Sequence, residues 1–130
     1  MEYDYTTYNF CIRRNEDKNI VFNFFTSDDT TETPLVLSGN NYELLLGDGL
    51  ECIDYASTGN GRIQLGKTTE NGFISTTYNA TCLQVIFPRT VTKNYKKKAV
   101  QYELVERTLD DKRKILLVGN VAIHDGINYE

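Results

Sequence analysis

Tryptophan is absent from these 130 residues, histidine occurs once and proline twice. Each shortage narrows the chemistry. A nucleophile–histidine–acid arrangement would have to use His124. That residue stands in AIHDGI, at the end of a strand pattern, where a solvent-facing side chain is expected. Cys11, Cys52 and Cys82 are odd in number, far apart and form no CxxC pair. A zinc site and a disulfide framework are therefore not expected, and three reduced, mostly buried thiols are. No apolar run approaches a membrane span. The opening MEYDYTTYNF lacks the basic start and apolar stretch of a secretory signal. Asn79-Ala80-Thr81 is then an unused glycosylation acceptor. Asp28, Asp29 and Glu32 lack the spacing and the glycine of a calcium-binding EF-hand loop, and read as a solvated acidic loop.

What is present points to strands. The chain carries 9 Tyr and 6 Phe, and 40% of its residues are hydrophobic against 25% charged. That balance suits one globular domain, residues 1–130, large enough to bury a core without staples. The net charge of −4 gives no general attraction to nucleic acid or to an anionic membrane, and neither is expected as a partner.

Short strand patterns follow one another. YNFCIRR (8–14) and NIVFNFFTS (19–27), separated by NEDK, read as a hairpin. DDTTETP reads as a loop and LSGNN as a turn. YELLLGDG is a strand, and LECIDYA places Leu50, Cys52 and Asp54 on one face. In NATCLQVIFP, Cys82 opposes the face of Leu83, Val85 and Phe87. PRTVTKNY, led by Pro88, is the one stretch suited to a short helical turn. Val100, Tyr102 and Leu104 alternate on one face, and a long apolar strand runs through residues 115–121. Roughly eight to ten strands at turn-punctuated spacing predict an antiparallel sandwich or barrel.

GRIQLGKT (61–68) matches the phosphate-binding pattern G-x-x-x-x-G-K-[ST] letter for letter. A working loop of that kind follows a buried parallel strand and opens into a helix. Here RIQL alternates like a strand, and TENGFIST brings an Asn-Gly turn where the helix should start. The expected reading is strand–turn–strand, with no nucleotide, no cofactor, no metal and no enzyme activity.

Two surface features remain. Lys93 and Lys96, Lys97 and Lys98 cluster around Tyr95, as a solvated loop or as a contact, mostly for an acidic protein partner and less for nucleic acid or glycan. Tyr3, Tyr5 and Tyr8 make the first dozen residues aromatic, which leaves a core strand and an interface both open.

Three blocks read together carry a resemblance: NIVFNF…LVLSGNNYELLL, GRIQLGKTTENGFISTTYNATCLQVIFPRTVT and AVQYELVERTLDDKRKILLVGNVAIHDGI. Over residues 20–127 this order resembles the immunoglobulin-like β-sandwich domains of tailed-bacteriophage structural proteins, of the upper-baseplate, neck or tail accessory kind. The resemblance implies an all-β, immunoglobulin-like sandwich with at most one short helical turn. It implies a non-enzymatic virion component, made in the bacterial host cytoplasm, that joins subunits or fibres at the neck, tail or baseplate. Its partners would be other virion structural proteins, with several copies in a ring or symmetric assembly. No second domain follows in the sequence, so a stand-alone adaptor is expected. Residues 1–12 would be a docking arm or an edge strand. The contact residues expected on chemistry are Tyr3, Tyr5, Tyr8, Tyr95, Lys96, Lys97 and Lys98. The alternative from another class is a glycan-binding, receptor-recognition sandwich, which the tyrosines favour and the missing tryptophan disfavours.

Overall fold

The computed structural model describes residues 6–27, 32–37 and 41–125. In chain order the strands are β1 (Thr6–Thr7), β2 (Phe10–Arg13), β3 (Lys18–Asn23), β4 (Phe25–Ser27), β5 (Glu32–Pro34) and β6 (Asn41–Gly47). There follow β7 (Cys52–Ser57), β8 (Ile63–Thr69), β9 (Gly72–Ser75), β10 (Cys82–Phe87), helix α1 (Arg89–Thr92), β11 (Ala99–Arg107) and β12 (Arg113–His124).

The alternation of apolar side chains builds two sheets that face each other. Leu44 and Leu46 on β6 and Val100, Tyr102 and Leu104 on β11 are buried from one side. Ile20 and Phe22 on β3, Ile63 and Leu65 on β8, and Leu83, Val85 and Phe87 on β10 are buried from the other. Period-2 patterning lets each strand turn one face to that shared core. The larger sheet runs β1-β12-β11-β6-β7, with β2 also pairing on β12. The smaller runs β3-β10-β8-β9, and β4 and β5 form a separate hairpin. This is an immunoglobulin-like β-sandwich: β3, β10 and β8 stand where strands B, E and D stand in that fold, and β12, β11, β6 and β7 where G, F, C and C′ stand. Every pairing is antiparallel except those of β1 and β2, which run parallel to β12.

That parallel edge corrects the expected hairpin between 8–14 and 19–27. Phe10 pairs with Val121 on β12, whereas Ile20 pairs with Val85 on β10. A hairpin would place both segments in one sheet. Instead Ile12 and Ile20 reach the core from opposite sheets, and the turn at Asn15, with φ of 63°, carries the chain across. Tyr8 and Asn9 lock the edge. The Tyr102 hydroxyl donates to the Tyr8 carbonyl at 2.6 Å, and the Asn120 amide donates to Asn9 Oδ1 at 2.9 Å. Gly119, opposite Tyr102, makes this approach feasible: a Cβ there would lie 2.0 Å from the Tyr8 carbonyl oxygen and 2.7 Å from the Tyr102 ring.

Ile63–Thr68 of GRIQLGKT lie in β8, paired with β10 on one side and β9 on the other, while Gly61 and Arg62 end the preceding turn. The strand residues are extended in the ladder rather than bent into a phosphate cradle. Gly66 is needed because the Phe73 ring lies over it, where a Cβ would come within 2.5 Å of a ring carbon. Asn71-Gly72 makes the hairpin turn, with Gly72 at φ of +110°. Pro88 ends β10 and α1 is a single turn, as the sequence predicts.

Three expectations need correction. Glu32–Pro34, read as loop, is strand β5, with its proline at the end of a short hairpin strand. Leu50, Cys52 and Asp54 do not share a face. A register shift between Leu46 and Gly47 sets Cys52 opposite Gly47 and Asp54 opposite Leu46, so Ile53 is the extra residue of a bulge. The thiols are not mostly buried: Cys82 is, but Cys11 and Cys52 are exposed. Cys11 alternates with the inward Ile12, and Cys52 is turned outward at the bulge. The turn expected at Ser38-Gly39 lies outside the described residues.

Gly119→Ala should cost about 1–3 kcal/mol in urea denaturation, the usual range for overpacking, because backbone and ring must both move. Lys67→Ala, at an exposed strand position, should stay within about 0.5 kcal/mol of the parent.

Candidate functional site

One end of the sandwich gathers the β2–β3 turn, the β6–β7 turn, α1 and the loop from residue 93 to 98. Polar contacts hold them. The Arg89 amide donates to Asp17 Oδ1 at 2.7 Å, and the buried Thr92 hydroxyl donates to the Glu16 carbonyl at 3.0 Å. Arg14 donates to the carbonyls of Tyr95 and Lys97 and pairs with Asp125. The Ile123 amide donates to the Lys98 carbonyl at 2.8 Å. Lys97 pairs with Asp48, whose Oδ1 also accepts from the amides of Leu50 and Glu51. The Lys97 hydrogen bond and those two amides hold the Asp48 carboxyl down to about 2, and Asp48 raises the Lys97 ammonium in return.

Beneath this loop lies an ion pair between the sheets. Asp54, on β7, accepts from Arg62, at the head of β8, through both guanidinium nitrogens at 2.8 and 2.7 Å. Arg62 Nε also donates to the Ile86 carbonyl on β10 at 2.9 Å, and the guanidinium lies 5.8 Å from the centre of the Phe87 ring. The Tyr95 hydroxyl donates to the same carboxylate, whose side chain is only 9% exposed. Burial pushes the Asp54 carboxyl up, but the hydrogen bonds from Arg62 and Tyr95 outweigh it and hold it below the ordinary carboxylate value. Burial first, then the bond to Asp54, drives the Tyr95 hydroxyl far above a free tyrosine, so it remains a donor.

The result is a rigid rim. Lys93, Lys96 and Lys98 are exposed on it and form no ion pair among the described residues. Segments 13–18, 48–51, 89–98 and 124–125 meet here with eight Lys or Arg against five Asp or Glu, leaving six against thirteen for the rest of the chain. An open cavity of about 510 Å³ lies beside this loop. Ile53 and Val91, half-buried against the core, form its apolar wall, and Glu51, Cys52, Asn94, Lys96 and Lys97 border it. The arrangement can hold an apolar group, with a carboxylate and ammonium groups at its border.

Of the contact residues expected from sequence, Lys96, Lys97 and Lys98 come together here. Lys97 is engaged with Asp48, while Lys96 and Lys98 are free for a partner among the described residues. Tyr95 is not a surface contact: at 4% exposure it is the post on which the loop stands. Tyr8 is half-exposed but belongs elsewhere. Its amide bonds to Val118, midway along β12, and its ring meets Phe10 and Phe22 on the lateral edge. Tyr3 and Tyr5 lie outside the described residues. Sequence reading missed Ile53, Val91 and Asp48. Only the Gly-Asp-Gly turn before Leu50 hinted at the last of these.

No family model and no curated protein matches the chain. Among solved structures it is similar to part of a family 123 glycoside hydrolase from Clostridium perfringens, described for glycolipid glycan hydrolysis, at 10% identity and a TM-score of 0.46. The match covers 94% of this chain and 23% of that one. The chain thus spans under a quarter of the hydrolase, and a likeness this loose carries no functional argument.

Asp54→Ala should destabilise the domain by about 3–5 kcal/mol, because Arg62 is then left without its partner in a largely buried setting. Tyr95→Phe should cost about 1.5–3 kcal/mol, the range for a hydrogen bond to a charged group. A carboxyl held below its unfolded value stabilises the fold above about pH 3.9, and that contribution is lost as pH falls through the folded value. Melting temperature should therefore drop on acidification below about pH 4, and by less in Asp54→Asn.

Proposed function

We propose that this chain is a non-enzymatic structural component of a tailed-phage virion. It acts as an adaptor that joins subunits or fibres at the neck, tail or baseplate. The sequence resemblance supplies the setting. The observation that carries the docking role is the basic end of the sandwich, where Lys96 and Lys97 border a cavity with Ile53 and Val91 in its wall, and Lys93 and Lys98 are exposed on the same loop. Unpaired surface lysines steer an acidic partner and set its orientation. The Ile53 and Val91 wall of the cavity offers an apolar anchor, the kind of place where interface energy concentrates. The ion-paired base keeps the loop preorganised, so little ordering free energy is lost on docking.

Purified particles from the source, quantified by mass spectrometry against the major capsid protein, test this reading. A fixed small ratio of this chain to capsid protein is the expected result. Its absence from particles would overturn the virion role, and binding on a glycan array would then assign the sandwich to receptor recognition.

A further inference from the structure

Two asparagines of this chain precede glycine, Asn60 and Asn71. Such a step is chemically labile, because the glycine nitrogen, unshielded by a side chain, can attack the neighbouring carboxamide. Sequence alone makes the two steps equal. Their glycines are alike as well: Gly61 and Gly72 have φ of +80° and +110°, and a Cβ on either would meet nothing within 4 Å. The asparagine side chains differ. Asn60 Oδ1 accepts from the amides of Ser57 and Arg62 at 2.9 and 3.0 Å, and its Nδ2 donates to the Tyr55 carbonyl at 3.0 Å. That carboxamide ties the end of β7 to the head of β8, and turning it toward Gly61 would break all three bonds. Asn71 is exposed in the turn that it forms with Glu70 between β8 and β9. Its backbone amide donates to Thr69 Oγ1 at 3.2 Å, but its side chain makes no hydrogen bond among the described residues.

We infer that Asn71 is a site of spontaneous deamidation in the folded protein, and that Asn60, with the same neighbour, is protected. The Gly72 nitrogen bonds to Asn71 Cγ, the Cγ–Nδ2 bond breaks, and ammonia leaves with the Gly72 amide hydrogen. Water then opens the cyclic imide. Opening at the side-chain carbonyl gives aspartate. Opening at the backbone carbonyl gives isoaspartate, whose main chain runs through Cβ and is longer by a methylene. Either product sets a new carboxylate beside Glu70. Isoaspartate also displaces the turn that fixes the register of β9. That strand lies at the edge of its sheet, paired with β8 alone, so it shifts more readily than a central strand. The Phe73 ring that covers Gly66 moves with it. Ile63 pairs with Val85 and Gly66 with Cys82, so β8 runs away from α1 and its turn with β9 stands far from the lysine loop. The lysine loop is left as it was.

Ageing of the purified chain in warm, mildly alkaline buffer, followed by peptide mapping with mass spectrometry, tests the assignment. Isoaspartyl methyltransferase labelling measures the isoaspartate. Residue 71 should convert, and residue 60 at least about tenfold more slowly, the effect of a barrier higher by about 1.4 kcal/mol. Urea removes the bonds that hold Asn60, so the two sites should then convert at similar rates. Asn71→Gln, which would have to close a larger ring, should remove most of the isoaspartate formed in the folded chain. Equal rates at the two sites in the folded chain, an Asn71 that reacts in urea but not when folded, or an Asn60 that stays slow in urea would each overturn the assignment. In the fraction that carries isoaspartate, hydrogen exchange should quicken in β9 and stay unchanged in residues 93–98. A β9 as protected as in the parent would overturn the shift in register.

Discussion

A single buried carboxylate ties the two sheets together. Asp54 belongs to the larger sheet, Arg62 stands just before β8 of the smaller one, and the Ile86 carbonyl on β10 accepts from Arg62 Nε. Tyr95 closes the group from the loop after α1. Each partner removes a desolvation penalty that another would otherwise suffer, so the group is stable only when complete. Its geometric effect is at least as important as its energy. It fixes where the chain returns after α1, and so where β11 enters the centre of the larger sheet. It also determines which residues of the loop are buried and which lysines are left to solvent.

The same constraint explains why the surface features divide between two ends. With Tyr95 drawn inward, Lys96 and Lys98 point away from a fixed base, and Lys97 is taken up by Asp48 on the neighbouring turn. The rim is thus more ordered than four lysines in an unsupported loop would be. At the other end the chain crosses from β3 into a hairpin beyond the smaller sheet, where Phe25, Leu35 and Val36 have no core to cover them. A chain that is acidic overall therefore presents one locally basic end and, at the other, exposed apolar side chains. A net charge of −4 conceals that basic end completely.

Edge chemistry is equally dependent on distant partners. β1 and β2 add to β12 in parallel, held by the Tyr102 hydroxyl and admitted by the missing side chain at Gly119. The N-terminal segment thereby covers an edge that would otherwise offer unpaired backbone groups. The phosphate-loop lookalike at 61–68 is a similar case. Its first glycine, at φ of +80°, enters a strand, and Gly66 makes room for the Phe73 ring. The letters coincide with a nucleotide motif, while the backbone needs them for a turn and a close approach.

Local pattern in the sequence was enough to define most of the strands, many of their inward faces and the single helical turn after Pro88, though not β5 or the face of β7. Alternation at Ile63 and Leu65, or at Val100, Tyr102 and Leu104, depends only on which side chains water rejects, and that is legible residue by residue. The clustering of Lys96, Lys97 and Lys98 is likewise adjacent in sequence. Tertiary structure alone decided the sheet to which β2 belongs, the bulge at Ile53 that turns Asp54 inward, the burial of Tyr95 and the cavity between Ile53 and Val91. Those depend on residues far apart in the chain meeting across the sandwich. A buried charge is satisfied only by the partner that folding brings to it, and no local spacing records which partner that will be.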